Sequence, residues 1–125
     1  PEGPAFFPED QLTDKSERFI AAEIIREKIL RYYEKEIPYS VDVHIENFKD
    51  EPTIIRIAAV IYVERESQKM ILIGLGGKSI KGMGMAARKD MEKFFGKKIF
   101  LETTVKVKKD WRNDENYLKT HGYLE

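Results

Sequence analysis

The stretch from Met70 to Gly82, MILIGLGGKSIKG, sets glycines at 74, 76 and 77 and lysines at 78 and 81 directly after an apolar run. Residues of these types in this order handle phosphate. Glycines let backbone N–H groups approach phosphate oxygens, and lysines add charge. One device of this kind is the nucleotide-binding P-loop, G-x-x-x-x-G-K-[ST], whose four intervening residues wrap a triphosphate. Gly77-Lys78-Ser79 supplies its ending, but Leu72 stands where the first glycine must be, and a loop opened at Gly74 is too short. The pattern also leaves no room for the parallel βαβ sheet of that fold and shows no later strand-end Asp for Mg²⁺. The second device is the shorter G-x-x-G loop, which lets a single-stranded RNA or DNA backbone lie against the protein between two helices. Gly74-Leu75-Gly76-Gly77 fits it. The helix that follows offers its N–H groups and positive dipole end to phosphate. Lys78, Lys81 and Arg88 are the expected phosphate contacts. Ile71, Ile73 and Ile80, with Ile61 and Val63 from a preceding strand, are the expected apolar wall for the bases. A glycine turn between helices is also a common connector, so the loop needs its context.

Part of that context is charge. The formal net charge of the 125 residues is zero, yet residues 66–112 carry 12 Lys/Arg against 5 Asp/Glu while the flanks are acidic. A basic sector around a glycine loop favours an anionic, phosphate-bearing partner. With 42% apolar and 35% charged residues, the chain has the composition of one globular domain, not of a disordered segment. No apolar run approaches the length of about 18 residues that spans a bilayer. The N-terminus, PEGPAFFPED, lacks the basic and apolar regions of a signal peptide. It begins without Met, and the chain reads as an excised fragment with Leu124-Glu125 as a cloning scar. Absence of cysteine excludes disulfides, thiolate metal sites and a cysteine nucleophile. His44 and His121 have no partners at metal-ligand spacing, and no carboxylates stand as an acid/base pair.

The elements that position the loop follow from periodicity. Residues 1–12, with three prolines and Phe6-Phe7, read as an extended linker. Thr13 or Ser16 caps a helix predicted to reach Glu36, with Phe19, Ile20, Ile24, Ile29, Leu30 and Tyr33 as its apolar face. Val41, Val43 and Ile45 alternate with polar residues as a strand; NFKDEP breaks it; TIIRIAAVIYVE is a second, more buried strand, and the two form a hairpin. Ser67 starts a short helix, QKMILI, into the glycines. Ile80, Met83 or Gly84, Ala87, Met91 and Phe94 mark a helix from Lys78 to Phe95, which Gly96 ends. KIFLETTVKVK alternates as a third strand; Lys106, Lys108 and Lys109, along and just beyond it, read either as its wet face or as an extension of the basic footprint, and a short helix follows from Asp110 or Asn113. The predicted fold is α+β in the order α-β-β-α-α-β-α, a three-stranded sheet with helices on one face.

At this point the sequence resembles a known family. ILIGLGGKSIKGMGMAARKDMEKFFGKKIFLETTVKVKKDWRNDENYLKTHGY is similar to the C-terminal KH domain of the Era family of bacterial ribosome-assembly GTPases, and PEGPAFFPEDQLTDKSERFIAAEIIREKIL resembles that family's linker and first helix. The resemblance covers nearly the whole chain. It implies a type II KH domain over residues 13–125, preceded by a linker from an absent GTPase domain. It implies binding to single-stranded RNA near the 3′ end of small-subunit (16S) ribosomal RNA during ribosome assembly, in a bacterial cytoplasmic protein that visits the inner membrane peripherally. GTP and Mg²⁺ would belong to the GTPase domain, its partner in cis, leaving no cofactor here. This sequence departs from the family in carrying Leu75 and Gly76 where a loop lysine or other polar residue is usual. It also reads Ala86-Ala87-Arg88 where the family reads E-A-R. With no complete P-loop and no Asn-Lys-x-Asp motif, this chain is expected to hydrolyse nothing. A KH domain of another ribosomal or transcription protein, and a protein-interaction domain whose groove holds a peptide, remain as alternatives.

Overall fold

A computed structural model of the chain describes residues 13–33, 37 and 41–108. The linker at 1–12 and the closing helix expected from Asp110 lie outside them. The elements run α1 (Asp14–Tyr32), β1 (Asp42–Asp50), β2 (Ile54–Val63), α2 (Glu66–Ile73), a 3₁₀ turn (Leu75–Gly77), α3 (Lys78–Phe95) and β3 (Lys98–Val107). This is the expected α+β order, with helices packed against one face of a three-stranded sheet.

Helix α1 starts where Thr13 Oγ1 accepts a hydrogen bond from the Ser16 amide at 3.1 Å, with Asp14 and Glu17 at the positive end of the dipole. It stops four residues short of Glu36, because Tyr33 turns extended (φ −124°, ψ 152°) and its ring enters the core. The buried stripe is Ile20, Ala21, Ala22, Ile25, Lys28 and Ile29. Phe19 and Leu30, expected there, are each 58% exposed. The stripe is displaced because two alanines permit close approach and because a lysine occupies one of its positions.

Strand β1 runs through Asn47, Phe48, Lys49 and Asp50, residues whose pattern suggests a break. A bulge between Ile45 and Asn47 adds one residue, so the buried phase moves from Val43 and Ile45 to Phe48. The hairpin turn is therefore only Glu51 to Thr53. β1 and β2 are antiparallel, whereas β2 and β3 run parallel, in register from Ile54↔Lys98 to Val63↔Val107. Strand periodicity does not disclose that parallel pair, and the expectation that the chain has no room for such a crossover is corrected: two helices joined by the glycine loop make it. Helix α2 begins at Glu66, one residue before Ser67. Gln68, not Ser67, secures its start, with Oε1 accepting from the Glu64 and Arg65 amides at 3.1 and 2.9 Å.

Helix α3 buries Met83, Ala87 and Met91, one residue per turn, beneath α1 and against the sheet. Phe95, rather than Phe94, packs on the core and meets Phe48 edge to face at 5.6 Å. Between α1 and α3 the Lys28 ammonium lies 2.5 Å from Asp90 Oδ2, and the Lys28 side chain is 9% exposed. The hydrogen bond to Asp90 outweighs burial and holds the ammonium above its ordinary value of 10.5. A charge so enclosed depends on its partners, Asp90 first and then Glu27, whose Oε1 lies 3.3 Å away. We expect Asp90→Ala to cost about 1–3 kcal/mol, below the figure for a fully buried pair because the Asp90 side chain is 41% exposed. Lys28→Met, which retains the stem and leaves a carboxylate that water can reach, should cost less. Urea unfolding of both variants checks the order, and a larger loss for Lys28→Met would refute it.

Candidate nucleic-acid interface

The glycine loop is built from the ends of two helices. Gly74 closes α2, its amide donating to the Met70 carbonyl at 2.9 Å, and takes φ +78°, ψ 174°. The Gly77 amide donates back to the Gly74 carbonyl at 3.1 Å, and Gly77 in the left-handed region (φ +79°) launches α3. At Gly74 glycine is required twice over: no L side chain favours that φ, and a Cβ there would lie 2.7 Å from Ser79 Cβ and 3.0 Å from Ser79 N. At Gly77 only the dihedral matters, since a Cβ would meet nothing within 4 Å. Leu75 forms the tip and is 89% exposed. Helix α3 thus presents its amino end beside an open loop, with Lys78 and Lys81 exposed and Lys78-Ser79-Ile80 free of acidic residues. Among the described residues neither lysine forms an ion pair.

From the loop a cleft of about 260 Å³ runs between α3 and β3, lined by Ile80, Lys81, Gly84, Met85 and Arg88 on the helix and by Leu101 and Thr103 on the strand. β3 is one of the two edge strands of the sheet, β1 being the other. A Cβ on Gly84 would point into free space, so the missing side chain widens the cleft. Away from the loop, the two walls are tied by Glu92. Its Oε2 accepts from Arg88 Nη1 at 2.9 Å and from the Ile99 amide of β3 at 3.1 Å. The Ile99 amide, with help from the Arg88 charge, holds the Glu92 carboxyl below its ordinary value of 4.5.

Gly74, Leu75, Gly76, Gly77, Lys78, Ile80, Lys81 and Arg88 therefore come together along one line from loop to cleft. Arg88 arrives already paired with Glu92, and Ile73 is half-buried, packed on the core beneath the loop. Ile61 and Val63 do not line the cleft. Both are completely buried, because β2 is the central strand and its inward side chains lie under the helices. The strand wall belongs instead to Leu101 and Thr103, which share a phase with buried Ile99 and Val105. That phase is visible in the sequence; which strand forms the edge is not. Gly84 and Met85, one turn beyond Ile80 and Lys81, also line the cleft: Met85 fits a methionine expected to fill core or groove, and Gly84, offered by the periodicity only as an alternative to Met83 on the apolar face, opens the wall instead. Lys106 stands in the opposite phase of β3, on the other face of the sheet. No group of three metal-ligating side chains occurs among the described residues, and no helix there is long and apolar enough to cross a membrane.

A family model for the KH domain matches residues 36–112, more than half of the chain, and the chain belongs to that family. Within it the chain is similar along its whole length to relatives from several bacteria. GTPase Era of Syntrophus aciditrophicus is 56% identical over 127 residues, covering 100% of this chain and 42% of that protein, and GTPase Era of Coxiella burnetii is 53% identical over 125 residues with the same shares. A crystal structure of an Aquifex aeolicus Era variant bound to GDP·AlF4⁻ superposes with a TM-score of 0.83 at 40% identity, over 100% of this chain and 42% of that one. A structure of Era in complex with MgGDPNP and nucleotides 1506–1542 of 16S ribosomal RNA matches to the same degree. The likeness to the C-terminal KH domain of Era read from the sequence holds along the whole chain, which spans about 42% of the length of these relatives. These 125 residues correspond to the KH portion and carry none of the GTPase motifs.

The two glycines should respond differently to alanine. Gly74→Ala combines strain with a clash and should cost about 2–3 kcal/mol, against about 1 kcal/mol for Gly77→Ala. Denaturant unfolding of both variants tests this, and equal losses would show that Ser79 yields easily. Glu92 makes a pH-dependent contribution. A depressed carboxyl stabilises the fold fully above its ordinary value of 4.5 and loses that contribution as pH falls through the lower folded value. The stability gap between wild type and Glu92→Gln should therefore be constant near neutrality and close in acid below about pH 4.5. A gap that stays constant into acid would remove Glu92 as the tie.

Proposed function

We propose that this chain binds single-stranded RNA, with the sugar–phosphate backbone across Gly74–Gly77 and about four nucleotides passing from the loop into the α3–β3 cleft. The observation that carries this reading is a convergence at one end of α3. A glycine loop with open space above it, a helix amino end with two lysines outside any described ion pair, and an apolar cleft along an edge strand meet there. Backbone amides and lysines take phosphate, which positions the strand without reading it. Ile80, Met85 and Leu101 offer apolar surface to bases, and the Thr103 hydroxyl beside the edge of β3 offers hydrogen bonds that discriminate among them. The solved relative that holds nucleotides 1506–1542 of 16S ribosomal RNA supports RNA as the ligand.

In the longer protein this activity is recognition of the 3′ end of 16S ribosomal RNA during ribosome assembly, in the bacterial cytoplasm with peripheral visits to the inner membrane. GTP and Mg²⁺ belong there to the GTPase domain. Leu75 and Gly76 leave the loop itself uncharged, so Lys78, Lys81 and the α3 dipole supply the attraction.

Fluorescence anisotropy with a short RNA matching that 3′ end, beside a scrambled RNA, tests the reading. Leu75→Asp/Gly76→Asp places two anions at the loop. It should fold, since Leu75 is exposed and Asp tolerates the φ of +63° at Gly76, and it should lower affinity by at least about tenfold. Gly84→Leu should fill the cleft without loss of stability and weaken the matched RNA more than the scrambled one. Lys78→Ala and Lys81→Ala should weaken both RNAs alike and reduce the salt slope by about 0.7 for each phosphate left without its cation. Wild-type affinity in the double aspartate variant would show the glycines to be only a turn.

A further inference from the structure

Helix α2 ends in a carbonyl that its own helix does not satisfy. The Met70 carbonyl receives the Gly74 amide, but the chain then reverses, and Gly76, whose amide would ordinarily serve Leu72, lies beyond the turn. The Leu72 carbonyl is met instead from the far end of α1. Tyr33 Oη, 39 residues earlier in the chain, donates to it at 2.6 Å. Both residues are buried, Leu72 completely and Tyr33 to 9% exposure. Burial also pushes the Tyr33 hydroxyl up to about 12, so it keeps its proton throughout the range in which the protein works.

The loop has few other restraints. Leu75 is almost wholly exposed, and Gly76 and Gly77 have no side chain to pack. Its internal links are the Gly77–Gly74 hydrogen bond and the approach of Ser79 to Gly74. Its direction therefore follows from where α2 stops, one residue past the carbonyl that Tyr33 holds. We propose that Tyr33 is a positioning residue for RNA binding: its buried hydroxyl caps α2 through Leu72 and keeps the Gly74–Gly77 loop in the conformation that receives the RNA backbone. This rests on the RNA-binding reading above. Tyr33 touches no RNA in this scheme. It acts by removing the ordering cost that a free glycine loop would otherwise bring to binding.

Tyr33→Phe deletes the hydroxyl and keeps the ring in the core. Its comparison is Ile25→Val, a core change on the same helix two turns away, with temperature adjusted so that both variants have the same folded fraction. Amide hydrogen exchange in the RNA-free, full 125-residue chain reads loop order directly at the Gly74 and Gly77 amides. Anisotropy with the matched RNA reads its consequence. We expect Tyr33→Phe, and not Ile25→Val, to speed exchange at Gly74 and Gly77 and to weaken RNA binding about threefold to tenfold, the span of one ordinary hydrogen bond. Unchanged loop exchange in Tyr33→Phe overturns the proposal. So does faster exchange with an affinity equal to that of Ile25→Val, since loop order would then be irrelevant to binding. If wild type itself binds no RNA while Tyr33→Phe still frees the loop, the hydroxyl does position the loop, and it is the RNA-binding reading that has failed.

Discussion

Parallel pairing of β2 with β3 constrains everything around the site. Two parallel strands cannot be joined by a tight turn. A chain leaving the end of β2 at Val63 must return the length of the sheet before Lys98 can pair beside Ile54. α3 makes that return: its 18 residues, at about 1.5 Å each, nearly match the ten-residue strands at about 3.3 Å each. Helix α2 carries the chain from β2 to the point where α3 can begin, and a reversal is needed between them. The reversal is the glycine loop. Its place at the amino end of α3, next to the carboxyl ends of both parallel strands, is thus a consequence of connectivity. The cleft has the same origin, because a crossover helix that lands beside an edge strand leaves one side of that strand open.

Charge is divided along the same geometry. Several cations are committed to holding elements together. Lys28 joins α1 to α3 through Asp90, Lys97 joins the start of β3 to Asp50 at the end of β1, and Arg88 shares Glu92 with the β3 backbone. Each of these tethers involves α3 or the entry to β3, the two walls of the cleft. Among the described residues, Lys78 and Lys81 at the loop have no such duty. A basic excess along residues 66–112 is therefore partly structural, through Arg88 and Lys97, while Lys78 and Lys81 add cations without a described ion pair at the positive end of the α3 dipole.

Much of this is legible in the sequence, for identifiable reasons. α3 follows from Met83, Ala87 and Met91 at helical spacing and from glycines at both ends. β3 follows from clean alternation, and the loop follows from glycines that few other backbones require. The bulge near Glu46 hides the second half of β1, because one added residue defeats a period of two. Hydrophobicity assigns helix α1 one face, whereas the true face is fixed by two alanines and a lysine whose partner is 62 residues away. Ile61 and Val63 look like groove residues because β2 adjoins the loop in sequence; sheet order places β3 at the edge, and sheet order is not a local property. The Tyr33–Leu72 bond has no sequence signal at all.

That last bond bears on how a loop of this composition keeps its conformation. Three glycines in four positions give a backbone that approaches a phosphate closely, and the same residues lose more entropy on ordering than any others. If that cost fell at the moment of binding, it would be subtracted from the affinity. Here the order is imposed from outside the loop. α2 is stopped by a hydroxyl from α1, Ser79 leans on Gly74 from the first turn of α3, and both helices are fixed by a core that runs from Ile25 to Met91. The loop can remain free of side chains because its conformation is a property of the fold. The uncharged Leu75 and Gly76 accord with this arrangement: a loop already held in place leaves its own residues free of side-chain obstruction, and the positive end of the α3 dipole stands beside it.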